Sequence, residues 1–327
     1  MKNISDLNNL NIKLFGMPNS QILAKSVSKI SGIKLLEIKK TTFSDGEMIL
    51  NSPETVRNAN VFIICNTSSS ESILELLLFV DSIKRASAGN ITIINSYYGY
   101  SRQDRKAKQR EPIGARLMAN ILETAGANKL ITVDLHNPSI QGFFNIPVDD
   151  LRWSISLASY LQNDENMKFS IVSPDHGGAV RARILAELVS HSVKIAIVDK
   201  RRTGPNKSEI LGILGKVSGK NIIIIDDIID TGNTILKAAA ALKKEGAKKI
   251  YIAATHGLFT KSFESFEKSD IIDKVLVSDS VENVYAINSK KLVIISLAPF
   301  ISDVIKASIR SKSISQLYEK IKEKNDF

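Results

Sequence analysis

Apolar, β-branched runs that begin near Asn11, Ile33, Val61 and Ile91 recur near Phe169, Val193, Asn221 and Ile250, displaced each time by 158 to 160 residues. Helical stretches such as Ser72 to Arg85 and Gly177 to Ser190 separate them. That alternation predicts parallel strands covered by helices on both faces, present twice. With 327 residues the chain is long enough for two such cores. The expected domains are 1–148 and 149–327, with a hinge around Val148 to Leu151 after the Gly142 to Pro147 turn region. The last helices are expected to pack back across that hinge.

Composition narrows the class. Apolar residues make up 43% and charged residues 24%, ordinary for a globular chain, and no apolar run approaches the length of a bilayer span. The start, MKNISDLNNLNIK, lacks the apolar core of a secretory signal, so a cytoplasmic protein without membrane attachment is expected. A lone Cys65, set in the apolar run from Val61, reads as a small buried hydrophobe. The net charge of +10 fits polyphosphate substrates as well as nucleic acid. The lysines are scattered without interleaved aromatics, so nucleic-acid binding is not expected.

One segment carries the strongest chemistry. Residues 221–234 read NIIIIDDIIDTGNT, a buried strand that meets two carboxylates and then a turn of small residues before the helical run from Ile235 to Lys244. The carboxyl end of such a strand faces the ligand crevice of an open α/β sheet. A helix N-terminus directs N–H groups and a positive dipole end at an anion, and Gly232 permits close backbone approach. Thr231 and Thr234 add hydroxyl donors, while Asp226 and Asp227 can accept from sugar hydroxyls. A phosphorylated sugar satisfies both halves. The corresponding place in the first half holds Asn66, Thr67, Ser68, Ser69 and Ser70, without glycine or carboxylate, so one sugar-phosphate site per chain is expected.

Other constellations are weaker singly. Phe43 to Glu47, FSDGE, offers a ring, two acceptors and a glycine turn suited to a purine, although alone it reads first as a surface turn. Tyr97 to Ile113 is a long basic loop between strand and helix. Arg102 and Gln103 suit a nucleotide triphosphate, and Arg105, Lys106, Lys108 and Arg110 can close over the charge, unless the run is merely solvated. His136, at a strand's carboxyl edge, is a poor magnesium ligand by its chemistry. Asp175 in SPDHGG suits the ion better, next to the turn made by Gly177 and Gly178; His176 is not relied on. Lys200, Arg201 and Arg202 follow the strand Val193 to Val198, where cations can neutralise a phosphoryl-type transition state.

Taken together, FSDGE, SRQDRK, DLH with IQGFF, SPDHGG with RAR, DKRR and IIDDIIDTGNT occur in the order and spacing of the ribose-phosphate pyrophosphokinase family, which the chain resembles over nearly its whole length. The acidic turn is similar to the diphosphate-binding signature of the wider phosphoribosyltransferase-like superfamily. The bacterial-type, phosphate-activated class is the nearest in pattern. Asn233, His176 and Gly204 depart from that family's usual residues.

The resemblance implies two tandem phosphoribosyltransferase-like domains, each a mainly parallel sheet flanked by helices. It implies transfer of a diphosphoryl group from Mg-ATP to the 1-hydroxyl of ribose 5-phosphate, for nucleotide biosynthesis. Lys200 and Arg202 are then catalytic. Phe43, Asp45, Gly46, Glu47, Arg102 and Gln103 contact ATP, with Asp45 to Glu47 supplied by a neighbouring subunit. Arg202, Asp226, Asp227, Asp230, Thr231, Gly232, Asn233 and Thr234 hold ribose 5-phosphate, and His136 and Asp175 are associated with Mg2+. A homo-oligomer, a hexamer built from dimers, is implied, with ADP and phosphate as effectors. A phosphoribosyltransferase and a non-catalytic regulatory homologue are the alternatives. The first-half ATP motifs disfavour the former, and the intact DKRR and SRQDRK segments disfavour the latter.

Overall fold

The computed structural model describes residues 11–162, 169–190, 192–204 and 207–317. The first half runs β1 (Ile12–Gly16), α1 (Gln21–Ser31), β2 (Leu35–Leu36), β3 (Lys39–Thr42), β4 (Met48–Asn51), β5 (Asn60–Cys65), α2 (Ser70–Arg85), β6 (Asn90–Asn95), α3 (Gly114–Ala125), β7 (Lys129–Val133) and β8 (Val148–Leu151). The second runs α4 (Ser154–Gln162), β9 (Phe169–Ser173), α5 (Ala179–Val189), β10 (Ile195–Gly204), β11 (Lys207–Leu214), β12 (Asn221–Ile229), α6 (Asn233–Lys244) and β13 (Ile250–Gly257). It closes with α7 (Glu264–Glu267), β14 (Lys274–Val277), β15 (Leu292–Ile294) and α8 (Ala298–Ile309).

The duplication expected from the spacing is present in the topology. The first sheet has the order β2-β1-β5-β6-β7-β8 and the second β11-β10-β9-β12-β13-β14-β15. Apart from the added β11 the orders superimpose, and every pairing except β10 with β11 is parallel. The β3–β4 pair forms a separate antiparallel hairpin, at the place where the second half inserts the β10–β11 ribbon.

Each sheet is buried by its own cluster. Phe15, Ile63, Phe79 and Leu122 are at most 1% exposed, and the Phe15 and Phe79 rings meet edge-on at 5.1 Å. Ile222, Ile224, Ile250 and Ile252 are 0% exposed in the second cluster. Each such side chain contributes about 1.5–3 kcal/mol by leaving water, which is why the apolar runs become central strands. Cys65 is wholly buried in β5, and burial pushes its thiol well above the usual range.

Val148 to Leu151, expected as a hinge, is instead β8, paired in parallel with β7 through Val148 to Leu151 against Leu130 to Val133. One compact unit runs up to Arg152 and also takes Ser280–Glu282 and Ala298–Arg310; the other holds Trp153–Asp279 and Asn283–Leu297. Helix α8 therefore returns to the first unit, where Ser302 Oγ donates to Val27 O at 3.3 Å and Lys306 Nζ to Ile30 O at 3.1 Å. Among the described residues no helix is long and apolar enough to cross a membrane.

Candidate active site

Strand pairing opens the second unit's crevice. β12 is paired with β9 only from Asn221 to Ile224, whereas its pairing with β13 continues to Ile229. The strand therefore does not end at the acidic pair, as the abrupt change in composition suggested; Asp226 and Asp227 lie within β12 on the stretch whose β9 side is open. Extended backbone persists there because β13 carries the ladder past Ala254 to Gly257.

The two carboxylates face a cation. Arg181 of α5 sets Nη1 3.6 Å from Asp226 Oδ1 and 3.5 Å from Asp227 Oδ1. Asp226 Oδ1 also accepts from the Asp227 N–H at 2.9 Å. Burial, then the charge of Asp227, push the Asp226 carboxyl well above the usual carboxylate range, and Arg181 opposes the rise. Arg181 was not among the expected site residues. Its signal was the RAR triplet following SPDHGG.

Next comes the turn. Gly232 caps α6 with φ +79°, and no side chain caps that helix. Asn233, expected in the turn, is the first helical residue. A Cβ on Gly232 would stand 2.4 Å from Phe266 Cζ, so this glycine is required by its left-handed backbone and by a ring beneath it as well as by any ligand above. Phe266 stacks on Phe263 at 5.4 Å and meets Phe259 edge-on at 5.8 Å, giving the turn an aromatic floor. Its carbonyls are braced from β13's exit: Ile229 O accepts from the Leu258 N–H at 2.8 Å, and Asp230 O from the Thr260 N–H at 3.2 Å. Thr260 Oγ1 donates to Asp230 Oδ1 at 2.5 Å.

Asp175 lies in the neighbouring turn between β9 and α5. Its Oδ1 accepts from the Gly178 N–H at 3.1 Å, and its carbonyl from Ser173 Oγ at 2.6 Å. Lys200 was expected just past a strand, but β10 continues through it to Gly204, since β11 pairs with it in antiparallel fashion from Ile197 onward. Lys200 is half-buried, beside a register shift between Asp199 and Lys200. Arg202 continues that strand opposite Ser208; its side chain, like Pro205 and Asn206, lies outside the described residues.

In the first unit Phe43 to Glu47 form the tip of the β3–β4 hairpin, closed by the Phe43 N–H to Glu47 O at 2.8 Å and by the Glu47 N–H to Asp45 Oδ1 at 3.0 Å. Gly46 there has φ +93°, and Phe43 remains 46% exposed. The loop after β6 begins as core, since Tyr97 and Tyr98 are buried and the Tyr98 hydroxyl donates to Ala115 O at 2.9 Å. Beyond it, Arg102 and Gln103 are exposed, as are Arg105, Lys106, Lys108 and Arg110. Gln103 O accepts from the Ala115 N–H at 3.2 Å, and its side chain lies over Gly114. Asn137 Nδ2 donates to Asp104 Oδ2 at 2.6 Å, which brings the Arg102–Gln103 segment and the turn of exposed His136 together.

Among the described residues no three His, Cys, Asp or Glu gather as a metal site. Magnesium fits nevertheless through Asp175, because that ion keeps water and substrate phosphate as most of its ligands and takes one or two carboxylates from protein. The His136 nitrogen fits it less well.

Comparison with known proteins identifies the family. A family model described as the N-terminal domain of ribose phosphate pyrophosphokinase matches residues 12–126, and one described as the phosphoribosyl synthetase-associated domain matches 174–319. The ribose-phosphate pyrophosphokinase of Mycoplasmopsis pulmonis is 54% identical over 311 residues, covering 94% of this chain and 96% of its own. That of Bacillus caldolyticus is 44% identical, covering 94% and 98%. The crystal structure of phosphoribosylpyrophosphate synthetase from Mycobacterium smegmatis superimposes with a TM-score of 0.84 at 32% identity, covering 92% of this chain and 99% of that one. With a relative this similar spanning both sheets, and the acidic turn at the open end of β12, the chain belongs to the ribose-phosphate pyrophosphokinase family.

Proposed function

We propose that the second unit's crevice holds ribose 5-phosphate and the first unit's loops hold ATP, in the reaction of the family. The enzyme forms 5-phosphoribosyl 1-diphosphate and AMP from the two substrates. The 1-hydroxyl oxygen attacks the β-phosphorus, the bond from that phosphorus to the oxygen kept by AMP breaks, and the hydroxyl proton is released. The observation that carries the assignment is the side-chain-free cap of α6 beside two carboxylates. N–H groups and a helix dipole suit a 5-phosphate, held by Asp230, Thr231, Gly232, Asn233 and Thr234. Asp226 and Asp227 accept from the ribose hydroxyls, and Arg181 offsets their mutual repulsion.

Lys200 and Arg202 stabilise the charge that develops on the transferring group, which is most of what such a transfer asks of a protein. Arg202 also contacts the sugar phosphate. Asp175 and His136 are each Mg2+-associated residues by the family resemblance, and the ion when bound would neutralise polyphosphate charge. Arg102 and Gln103 bind the triphosphate. Phe43, Asp45, Gly46 and Glu47 bind the nucleotide of a neighbouring protomer, a reading supported by the exposed hairpin tip. The working form is a homo-oligomer, a hexamer built from dimers, in the cytoplasm. ADP and phosphate as effectors rest on the family resemblance.

The test is AMP release that depends on ribose 5-phosphate, with Lys200→Ala as the decisive variant. Loss of turnover by about 10³-fold or more, with ribose 5-phosphate binding still measurable by calorimetry, is expected for a residue that acts in the transition state. Unchanged turnover would sink the assignment.

A further inference from the structure

β10 outruns its support. It pairs with β9 only at Ile195 to Ile197, because β9 ends at Ser173, and from Val198 to Gly204 its ladder partner is β11. A two-stranded ribbon twists more freely than a strand held on both sides. At the point where support is lost, the register shifts between Asp199 and Lys200, whose partners Gly212 and Ile210 leave Leu211 of β11 as the extra residue, and such an irregularity increases the local twist of the pair beside Lys200.

One side chain reaches across that gap. His176 Nε2 lies 2.9 Å from Asp199 Oδ1. His176 belongs to the turn after β9, which is anchored on either side of it: Ser173 Oγ donates to Asp175 O, and Asp175 Oδ1 accepts from the Gly178 N–H. The turn is therefore held on both sides of His176, whereas Asp199 sits where β10 has β11 alone as its ladder partner.

We infer that His176 is a positioning residue for the diphosphoryl transfer, clamping Asp199, at the register shift before Lys200, to the anchored turn after β9 and so setting where the Lys200 ammonium stands. This rests on the reading of Lys200 given above. The His176 and Asp199 side chains are 59% and 37% exposed, so the pair adds little to folding stability. Its effect belongs to the transition state, where a cation displaced by about 1 Å can cost up to about 100-fold in rate.

Steady-state kinetics on the full chain test it. His176→Ala should lower kcat by about tenfold, with KM for ribose 5-phosphate held within about twofold. His176→Gln carries an amide donor at similar reach and should recover kcat to within about threefold of the parent. Asp199→Ala should match His176→Ala, and the double variant should be no slower than either, as expected for two residues acting through one bond. A His176→Ala kcat within about twofold of the parent, a Gln variant as slow as Ala, or a double variant slowed by the product of the two effects would each overturn the inference. Lys200→Ala separates the two readings. If it turns over normally the assignment of Lys200 fails, whereas an inactive Lys200→Ala beside a normal His176→Ala removes the clamp alone.

Discussion

Two turns stand at corresponding places in the two sheets, after β5 and after β12, and they are finished in opposite ways. The first is turned inward. The Thr67 N–H donates to Tyr97 O at 3.0 Å, and Thr67 Oγ1 accepts from the Gly99 N–H at 2.8 Å and from Asn95 Nδ2 at 3.0 Å. Asn66 Nδ2 donates to Asn19 O at 2.9 Å, and Ser69 and Ser72 close a capping box on α2. Gly99 lies so close that a Cβ on it would stand 1.9 Å from Thr67 O. In the second turn the braces from Leu258 and Thr260 take carbonyls, and α6 has a glycine cap with no side chain bonded to it. The proposed anion site thus stands where the bracing engages C=O groups, whereas at the corresponding turn the donors are turned onto the protein itself.

The largest effect should come from giving the second turn the first turn's residues. Asp230→Asn, Gly232→Ser, Asn233→Ser and Thr234→Ser together should weaken ribose 5-phosphate binding by about 10³-fold or more in calorimetry, equivalent to roughly 4 kcal/mol. Binding within about tenfold of the parent would break the comparison.

Gly232→Ala sharpens it. The added methyl meets the Phe266 ring and demands φ +79° of a residue with a Cβ. Overpacking and strain together should cost about 2–4 kcal/mol of stability by denaturant unfolding and raise KM for ribose 5-phosphate at least about tenfold. Phe266→Leu in that background should return part of the stability, since it relieves the clash and leaves the backbone strain.

Asp226→Asn tests the electrostatic half. A carboxyl raised in the folded state makes the native form bind more protons than the unfolded chain, so stability falls as pH rises from the ordinary Asp value through the folded one. At neutral pH the amide removes that burden, and Tm should rise by about 2–4 °C, what roughly 1 kcal/mol gives in a domain of this size. The gain should shrink as pH falls toward the ordinary Asp value, while ribose 5-phosphate affinity at pH 7 drops about tenfold. A Tm difference independent of pH would show that the carboxyl carries no such burden.

Ser69→Ala should have the smallest effect. Loss of the α2 cap should cost about 1 kcal/mol in unfolding, with kcat and both KM values unchanged. A rise in KM for ribose 5-phosphate would mean that the first turn is not sealed off.

The repeat, the parallel strands and the acidic turn were legible because short apolar runs and glycine turns are local signals. The extents were not. β12 looked finished at Asp226 because a carboxylate ends an apolar run, yet β13 holds it extended to Ile229. Lys200 looked like loop for want of its partner β11, and Val148 to Leu151 looked like a hinge because pairing with β7 leaves no mark in four residues of mixed polarity. Arg181, Thr260 and Phe266 were missed as contributors, each being separated in sequence from the group it serves.

By itself the amino-acid order determined the recurring central strands, that they come in two copies, and that one copy bears carboxylates and a glycine turn where the other bears hydroxyls. Only the tertiary structure decided that the first copy's donors are used internally, that a ring lies under Gly232, and that Arg181 stands between two acids. Periodicity and turn chemistry act over a few residues, whereas the direction in which a hydrogen-bonding group is satisfied depends on what the folded chain brings beside it.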